Sequence, residues 1–222
     1  MGPVVRLWRR ARRRRELPDP DRLAKALPLV GYRNLVLDPT QHTAQLLKPG
    51  MLLDLGGIGK GYAADQALAV LKKKGVRSAL VAAAGDIACG NPPPGHNGWR
   101  IEITPLATSP NSSPKGKRYL LLNDAAVSTS GDAEQHLDLD GQRYSHIVNP
   151  ATGMALTGRH SVTVVAPRGI TADSYATAVC VLGPKRGLEL IDSSEGASGL
   201  FVELSGDDFQ YFESRRPLPY GN

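Results

Sequence analysis

Long apolar runs are missing from this chain. No window approaches the roughly twenty consecutive apolar residues that a bilayer-spanning helix needs, and no leader of the secretory type is recognised. Cysteine is nearly absent too. The two present, Cys89 and Cys180, carry no metal-like spacing and lie in apolar runs, so they read as small core residues rather than as a disulfide or a nucleophile. No aromatic platform accompanies the basic stretch at the start, so nucleic acid is not expected as a partner. There is no internal repeat. No Gly-Lys-Ser/Thr follows a four-residue spacer, which excludes the P-loop.

What remains is a chain of 222 residues with an ordinary apolar fraction, long enough for one large domain or two small ones and reading as soluble and globular. Its net charge of +6 is local. Arg6, Arg9, Arg10 and Arg12 to Arg15 exceed that excess by themselves, so the rest is close to neutral. Such a run could touch nucleic acid or an anionic membrane, although a solvated helix face is the commoner case.

Residues 4–15 read as a basic helix with Val5, Leu7, Trp8 and Ala11 as its buried edge. Leu17-Pro18 ends it, and Asp19 caps a second helix with Pro20 at its first position and Leu23, Ala26 and Leu27 inside. Tyr32 to Leu37 and Thr43 to Leu47 read as paired strands. After them, DLGGIGKGYAAD at 54–65 sits at an expected strand-to-helix junction, where a short apolar run gives way to a helix over about Gly61 to Lys74, lined by Ala64, Leu68, Val70 and Leu71. Glycine amides, a helix start and Lys60 could hold a phosphate there, or the glycines could only make a tight turn. Asp54 would repel a phosphate unless it binds a hydroxyl, an amine or a bridging metal. Gly59-x-Gly61-x-x-Ala64 also fits the loose dinucleotide fingerprint.

Ser78 to Ala84 reads as a fully buried strand ending in Gly85-Asp86, a place for ligand contacts or a simple turn. Polar loops are expected over residues 91–98 and 108–117, with antiparallel strands at Trp99 to Ile103 and Arg118 to Leu122. Ser128 to Asp132 reads as a hydroxyl-rich turn. His146 lies on a short strand before the turn at Asn149-Pro150 and Gly153, where it could serve structure or catalysis. His160 to Ala166 alternates. A helix then opens at Thr171, and Asp173 and Thr177, four residues apart, share one of its faces. Their oxygens could converge on Mg²⁺; equally, Asp173 could answer the helix dipole and Thr177 bond the preceding turn. Residues 184–192 form another helix, and Ser198 to Leu204 with Phe209 to Phe212 a closing hairpin.

Taken together, LDLGGIGKGYAADQAL at 53–68, ALVAAAGDI at 79–87, VSTSGD at 127–132, RYSHIVNPATG at 143–153 and the stretch from SVTVVAP to residue 183 resemble the ApbE family of FAD:protein FMN transferases. The resemblance implies one α+β domain over 1–222, with mixed or antiparallel sheets and flanking helices. It implies a Mg²⁺-dependent enzyme that takes FAD as substrate, transfers its FMN half to a Ser or Thr of an acceptor flavoprotein and releases AMP. Carried over residue by residue, Asp54, Lys60, Gly85, Asp86 and Ile147 are flavin-dinucleotide positions, Gly57 offers a carbonyl to the metal, and Asp173 and Thr177 are its side-chain ligands. His146 is the candidate for proton transfer. The chain departs from the family at Ala82 to Ala84, where Asn-Ala-Gly is usual, and at Asn149 and Ala151, where Asp and Arg are usual. Met1-Gly2-Pro3 aligns with the interior of the family domain, so an N-terminal part, with any export or lipid-anchor signal, is expected to be missing. Membrane association would come only through that part, and the family suggests the periplasmic face of the bacterial inner membrane. The alternatives are an inactive or partial flavin-binding member, a nicotinamide-dependent oxidoreductase, and a basic interaction module.

Overall fold

The computed structural model describes residues 1–103, 106, 118–132, 135–206 and 208–221; the polar loop expected over 108–117 lies outside the described residues. In chain order the elements are α1 (Gly2–Arg14), α2 (Pro20–Ala26), β1 (Leu35–Asp38), β2 (Thr43–Leu46), α3 (Gly59–Lys73), β3 (Leu80–Ala83), β4 (Asp86–Cys89), β5 (Trp99–Ile103) and β6 (Arg118–Leu122). There follow β7 (Ala126–Gly131), β8 (His136–Leu139), β9 (Gln142–Val148), β10 (Ala155–Thr157), β11 (His160–Ala166), α4 (Gly169–Asp192), β12 (Ser198–Ser205), β13 (Asp208–Glu213) and β14 (Tyr220–Gly221). The fold is α+β, and every strand pairing among the described residues is antiparallel. No helix among them is long and apolar enough to cross a membrane.

The chain forms two compact units, Met1–Leu55 with Glu134–Thr157 and Gly56–Ala133 with Gly158–Asn222. In the first, α1 buries Val4, Trp8 and Ala11, a stripe at helical spacing, against Ala26, Val148 and Ala155. Trp8 and Ala11 are buried as expected, Leu7 is half-buried against the same cluster, and Val4 takes the inner place expected for the half-buried Val5. The Trp8 indole Nε1–H donates to the Gly153 carbonyl at 2.8 Å, which ties the helix to the turn after β9. Asp19 caps α2 as expected, its Oδ1 accepting from the Arg22 N–H at 2.9 Å. Residues 32–34 form a 3₁₀ turn, so the ribbon of β1 and β2 starts later than its apolar run.

In the second unit the six-stranded sheet runs in the order β13-β12-β11-β7-β4-β3, and α4 lies on β7 and β11. The other face of β11 joins a core with β5 and β6 through Val165, Ile101 and Leu120. With both faces covered, β11 does not alternate: six of its seven residues are buried. Four further expectations change. Residues 51–55 before the glycines are not a strand. The stretch expected to be a buried strand at 78–84 is a half-buried edge strand, β3, ending in a two-residue hairpin turn at Ala84-Gly85, both at positive φ (48° and 94°). Ser128 to Gly131 is no turn but most of β7, in the middle of the sheet, because its hydroxyls find partners on neighbouring elements. Val70 is 57% exposed, since the buried stripe of α3 runs through Gly61, Ala64 and Leu68 instead. Within α4, Gly183 (φ 76°) followed by Pro184 breaks the helix where the sequence places a new one.

Candidate active site

In the second unit, α3 and α4 start side by side because neither carries a side chain where they touch. A Cβ on Gly61 would stand 2.1 Å from the Gly169 carbonyl oxygen, and one on Gly169 would stand 2.6 Å from that of Gly61. Glycine is required at this crossing. The contact brings Asp173 onto the first turn of α3, where its Oδ2 accepts from the Gly61 N–H at 2.9 Å. Asp173 therefore does not answer its own helix dipole. It lies in the second turn of α4, and the opening amides of that helix are taken by Asp65, whose Oδ1 and Oδ2 accept from Gly169 and Ile170 at 2.6 and 3.1 Å.

Lys60 and Asp86 complete the cluster. Asp86, at the start of β4, is 2% exposed; its Oδ1 accepts a short bond from the Ser128 hydroxyl and its Oδ2 lies 2.8 Å from the Lys60 ammonium. That ion pair is the only polar partner of Oδ2 among the described residues. Lys60 also leans on the Ala84 carbonyl at 3.4 Å, so the β3–β4 turn orients it, and Gly85 supplies the positive φ the turn needs. Burial raises the Asp173 pKa above its ordinary value; the Asp86 carboxylate adds to the rise, while the Gly61 and Lys60 amides and the Lys60 ammonium oppose it. Two buried carboxylates thus share one half-exposed ammonium, which leaves negative charge in excess.

The other two candidate metal ligands are adjacent. A Cβ on Gly57 would lie 3.1 Å from the Thr177 hydroxyl oxygen, which itself faces the Ser130 hydroxyl at 3.3 Å. Thr177 is one turn beyond Asp173 on the same face of α4. Among the described residues no three His, Cys, Asp or Glu side chains form a metal-like group, so a cation here would take few protein ligands, all hard oxygens. A buried carboxylate one turn from a hydroxyl that packs against a glycine fits that description.

The remaining candidates lie in the first unit. Asp54 is paired with Arg9 at 3.0 Å, across 45 positions of the sequence. His146 is exposed on β9, and its Nδ1 lies 3.2 Å from the Gln135 carbonyl, an acceptor that would take a proton carried on Nδ1. The Ile147 side chain is buried and its N–H donates to the Ser145 hydroxyl, so a flavin contact through an exposed side chain is not what this residue offers. An open cavity of about 370 Å³ in this unit is lined by Arg10, Arg14 and Arg22 and contains none of the candidate residues. The dinucleotide fingerprint loses its basis: the Gly61 N–H is spent on Asp173, residues 51–55 directly before the glycines form no strand, and no strand pair among the described residues is parallel. Asp65 carries no signal of its own in the sequence beyond its place at the end of the glycine motif.

Comparison with known proteins shows a family and a fold for the chain. The model of the ApbE family matches residues 1–201. The FAD:protein FMN transferase of Treponema pallidum is 35% identical over 213 residues, covering 91% of this chain and 59% of that protein. Among solved structures, a histidine-to-glycine variant of the flavin transferase ApbE from Vibrio cholerae superposes with a TM-score of 0.82 at 28% identity, over 96% of this chain and 67% of the other. The apo flavinyl transferase ApbE of Pseudomonas stutzeri gives 0.74 at 31% identity, over 90% and 60%. The chain spans about three fifths of the length of the curated relatives it matches.

Proposed function

Since the chain belongs to the ApbE family, we propose that it transfers the FMN moiety of FAD to a Ser or Thr of an acceptor flavoprotein and releases AMP, with Mg²⁺ required. The observation that carries the reading is the cluster of buried Asp86 and Asp173 about Lys60, next to the Thr177 hydroxyl and Gly57. The relatives' names supply the substrates, and the residues supply a chemistry that suits them.

In the reaction the acceptor hydroxyl oxygen bonds to the flavin-side phosphorus, the bond from that phosphorus to the bridging oxygen breaks, and AMP departs with the bridging oxygen. Such a transfer needs alignment and charge stabilisation more than covalent help. Asp173, Thr177 and the Gly57 carbonyl would hold Mg²⁺, which when bound neutralises pyrophosphate charge. Lys60, steered by Asp86 and the Ala84 carbonyl, supplies a positioned cation for the phosphate leaving with AMP. His146, whose Nδ1 lies against the Gln135 carbonyl, is the group to which we assign the proton of the incoming hydroxyl. Asp54 and the Gly85 turn keep the flavin-dinucleotide roles that the resemblance implies. The periplasmic face of the inner membrane stays the expected compartment for the activity.

The test is incubation with FAD, Mg²⁺ and a flavoprotein that carries a Ser/Thr flavinylation site. Covalent flavin fluorescence on the acceptor in gels, with AMP in the supernatant, is expected, and it should vanish with EDTA and in Asp173→Ala. Label that survives both treatments would refute the metal assignment. AMP without label would make the chain a hydrolase of FAD. Undiminished transfer by His146→Gln would remove the proton-transfer role.

A further inference from the structure

α4 brings no cap of its own. Its N-cap residue Arg168 makes no side-chain cap, and no acidic residue stands in its first turn. The amides left over there are covered instead from α3, 104 residues away in sequence, by Asp65. Its carboxylate spreads over two successive N–H groups, one on each oxygen, and its side chain is 14% exposed. Charge-assisted bonds of that kind are the strong ones. Arg168 lies 3.7 Å from the same carboxylate but is 63% exposed, so water screens it and the grip rests on the backbone amides.

The arrangement is reciprocal. Asp65 on α3 holds the start of α4, and Asp173 on α4 holds the start of α3 through the Gly61 N–H. Between the two bonds the helices touch backbone to backbone at Gly61 and Gly169, with no side chains to interlock. The two glycines have no side chains with which to set the register of α3 against α4. The two carboxylates are the directional contacts that fix register, and Asp173 and Thr177 ride on the helix they fix.

We propose that Asp65 is a positioning residue for the cation site: it holds α4 in the register at which Asp173 and Thr177 stand beside Gly61 and Gly57. The inference rests on the metal reading above and extends it to a residue that touches neither metal nor substrate. With Asp65 gone, Asp173 is the one carboxylate that still ties α4 to the start of α3, and a shift of α4 on that tie would carry Thr177, a turn further along, with it. Asn at position 65 offers one accepting oxygen and keeps one of the two amide bonds, so it should rescue in part.

The experiment uses Mn²⁺ as a paramagnetic probe, its free concentration followed by electron paramagnetic resonance, together with amide hydrogen exchange of the metal-free protein at Gly61. Asp65→Ala should weaken Mn²⁺ binding by about 10- to 100-fold and speed exchange at Gly61, with Asp65→Asn in between. Asp19→Ala, which removes the ordinary cap of α2 in the other unit, should change neither. A folded Asp65→Ala protein with unchanged Mn²⁺ affinity and unchanged Gly61 protection overturns the proposal. If that variant does not fold, the same two readings in Asp65→Asn decide, and wild-type values there overturn it. Mn²⁺ binding that ignores Asp173→Ala would sink the metal reading instead, and Gly61 protection alone would then judge whether Asp65 sets the register.

Discussion

Gly61→Ala makes the sign of a stability change depend on a single contact. In an ordinary helix interior the exchange helps, by about 1 kcal/mol, because alanine restricts the unfolded chain and favours the helix. Here the added methyl would stand 2.1 Å from the Gly169 oxygen, 2.5 Å from its carbonyl carbon and 2.8 Å from the Asp173 Cβ. Two of these are backbone atoms, so no rotamer can yield, and the helices must part by about an ångström to reach normal separation. Overpacking of this kind costs about 1–3 kcal/mol. Parting the helices also stretches the bond from the Gly61 N–H to Asp173, and a buried acceptor left short of its donor adds about 1–3 kcal/mol. Less the helix gain, the variant should lose about 1–5 kcal/mol, which for a unit of this size lowers the Tm by about 2–20 °C. Differential scanning calorimetry measures it directly. A Tm equal to or above that of the parent would show that the two helices do not meet backbone to backbone, and the account of how Asp173 is brought to the site would fall with it.

Lys60→Met leaves Asp86 buried with no counter-charge on Oδ2, and urea denaturation should show a loss of about 2 kcal/mol, below the usual value for a broken buried pair because the ammonium is half-exposed. His160, stacked on Phe201 with centroids 5.8 Å apart, has its pKa pushed below 6.5 by burial, with Asp132 and Glu203 opposing. The unfolded chain accordingly binds the proton first, so the stability of the neutral ring is present above about pH 6.5 and is lost as pH falls below it. The urea midpoint should drop between pH 7 and 5 more steeply in the parent than in His160→Phe, and equal slopes would refute the point. Trp8→Phe keeps most of the apolar contact but leaves the Gly153 carbonyl without its donor, and a thermal melt should register about 1–2 kcal/mol.

Signals that lie within a few residues of their effect were readable without coordinates. Asp19 followed by Pro20 marks a helix start, Gly183 followed by Pro184 marks a break, and the seven arginines of the first stretch locate the charge. The errors share a cause. Ser128 to Gly131 looks like a turn because hydroxyls and glycine favour turns locally, yet Asp86, Thr163 and Thr177 satisfy those hydroxyls and a central strand results. Ser78 to Ala84 looks buried because it is apolar, yet its place at the sheet edge leaves it half-covered. Strands as short as β8, β10 and β14 carry too few residues for a period to be seen.

For the candidate site the division is the same. Motif and residue type single out Gly57, Lys60, Asp86, Asp173 and Thr177, since acid, amine, hydroxyl and bare backbone are properties of the residues themselves. Which of them meet is a different matter. Gly61 and Asp173 are 112 residues apart, Asp65 and Gly169 are 104, and no local preference encodes either pairing. Chemistry was therefore written in the chain, whereas partnership was decided by the packing of α3 on α4, because a hydrogen bond a few ångströms long exists only once the core has brought distant segments together.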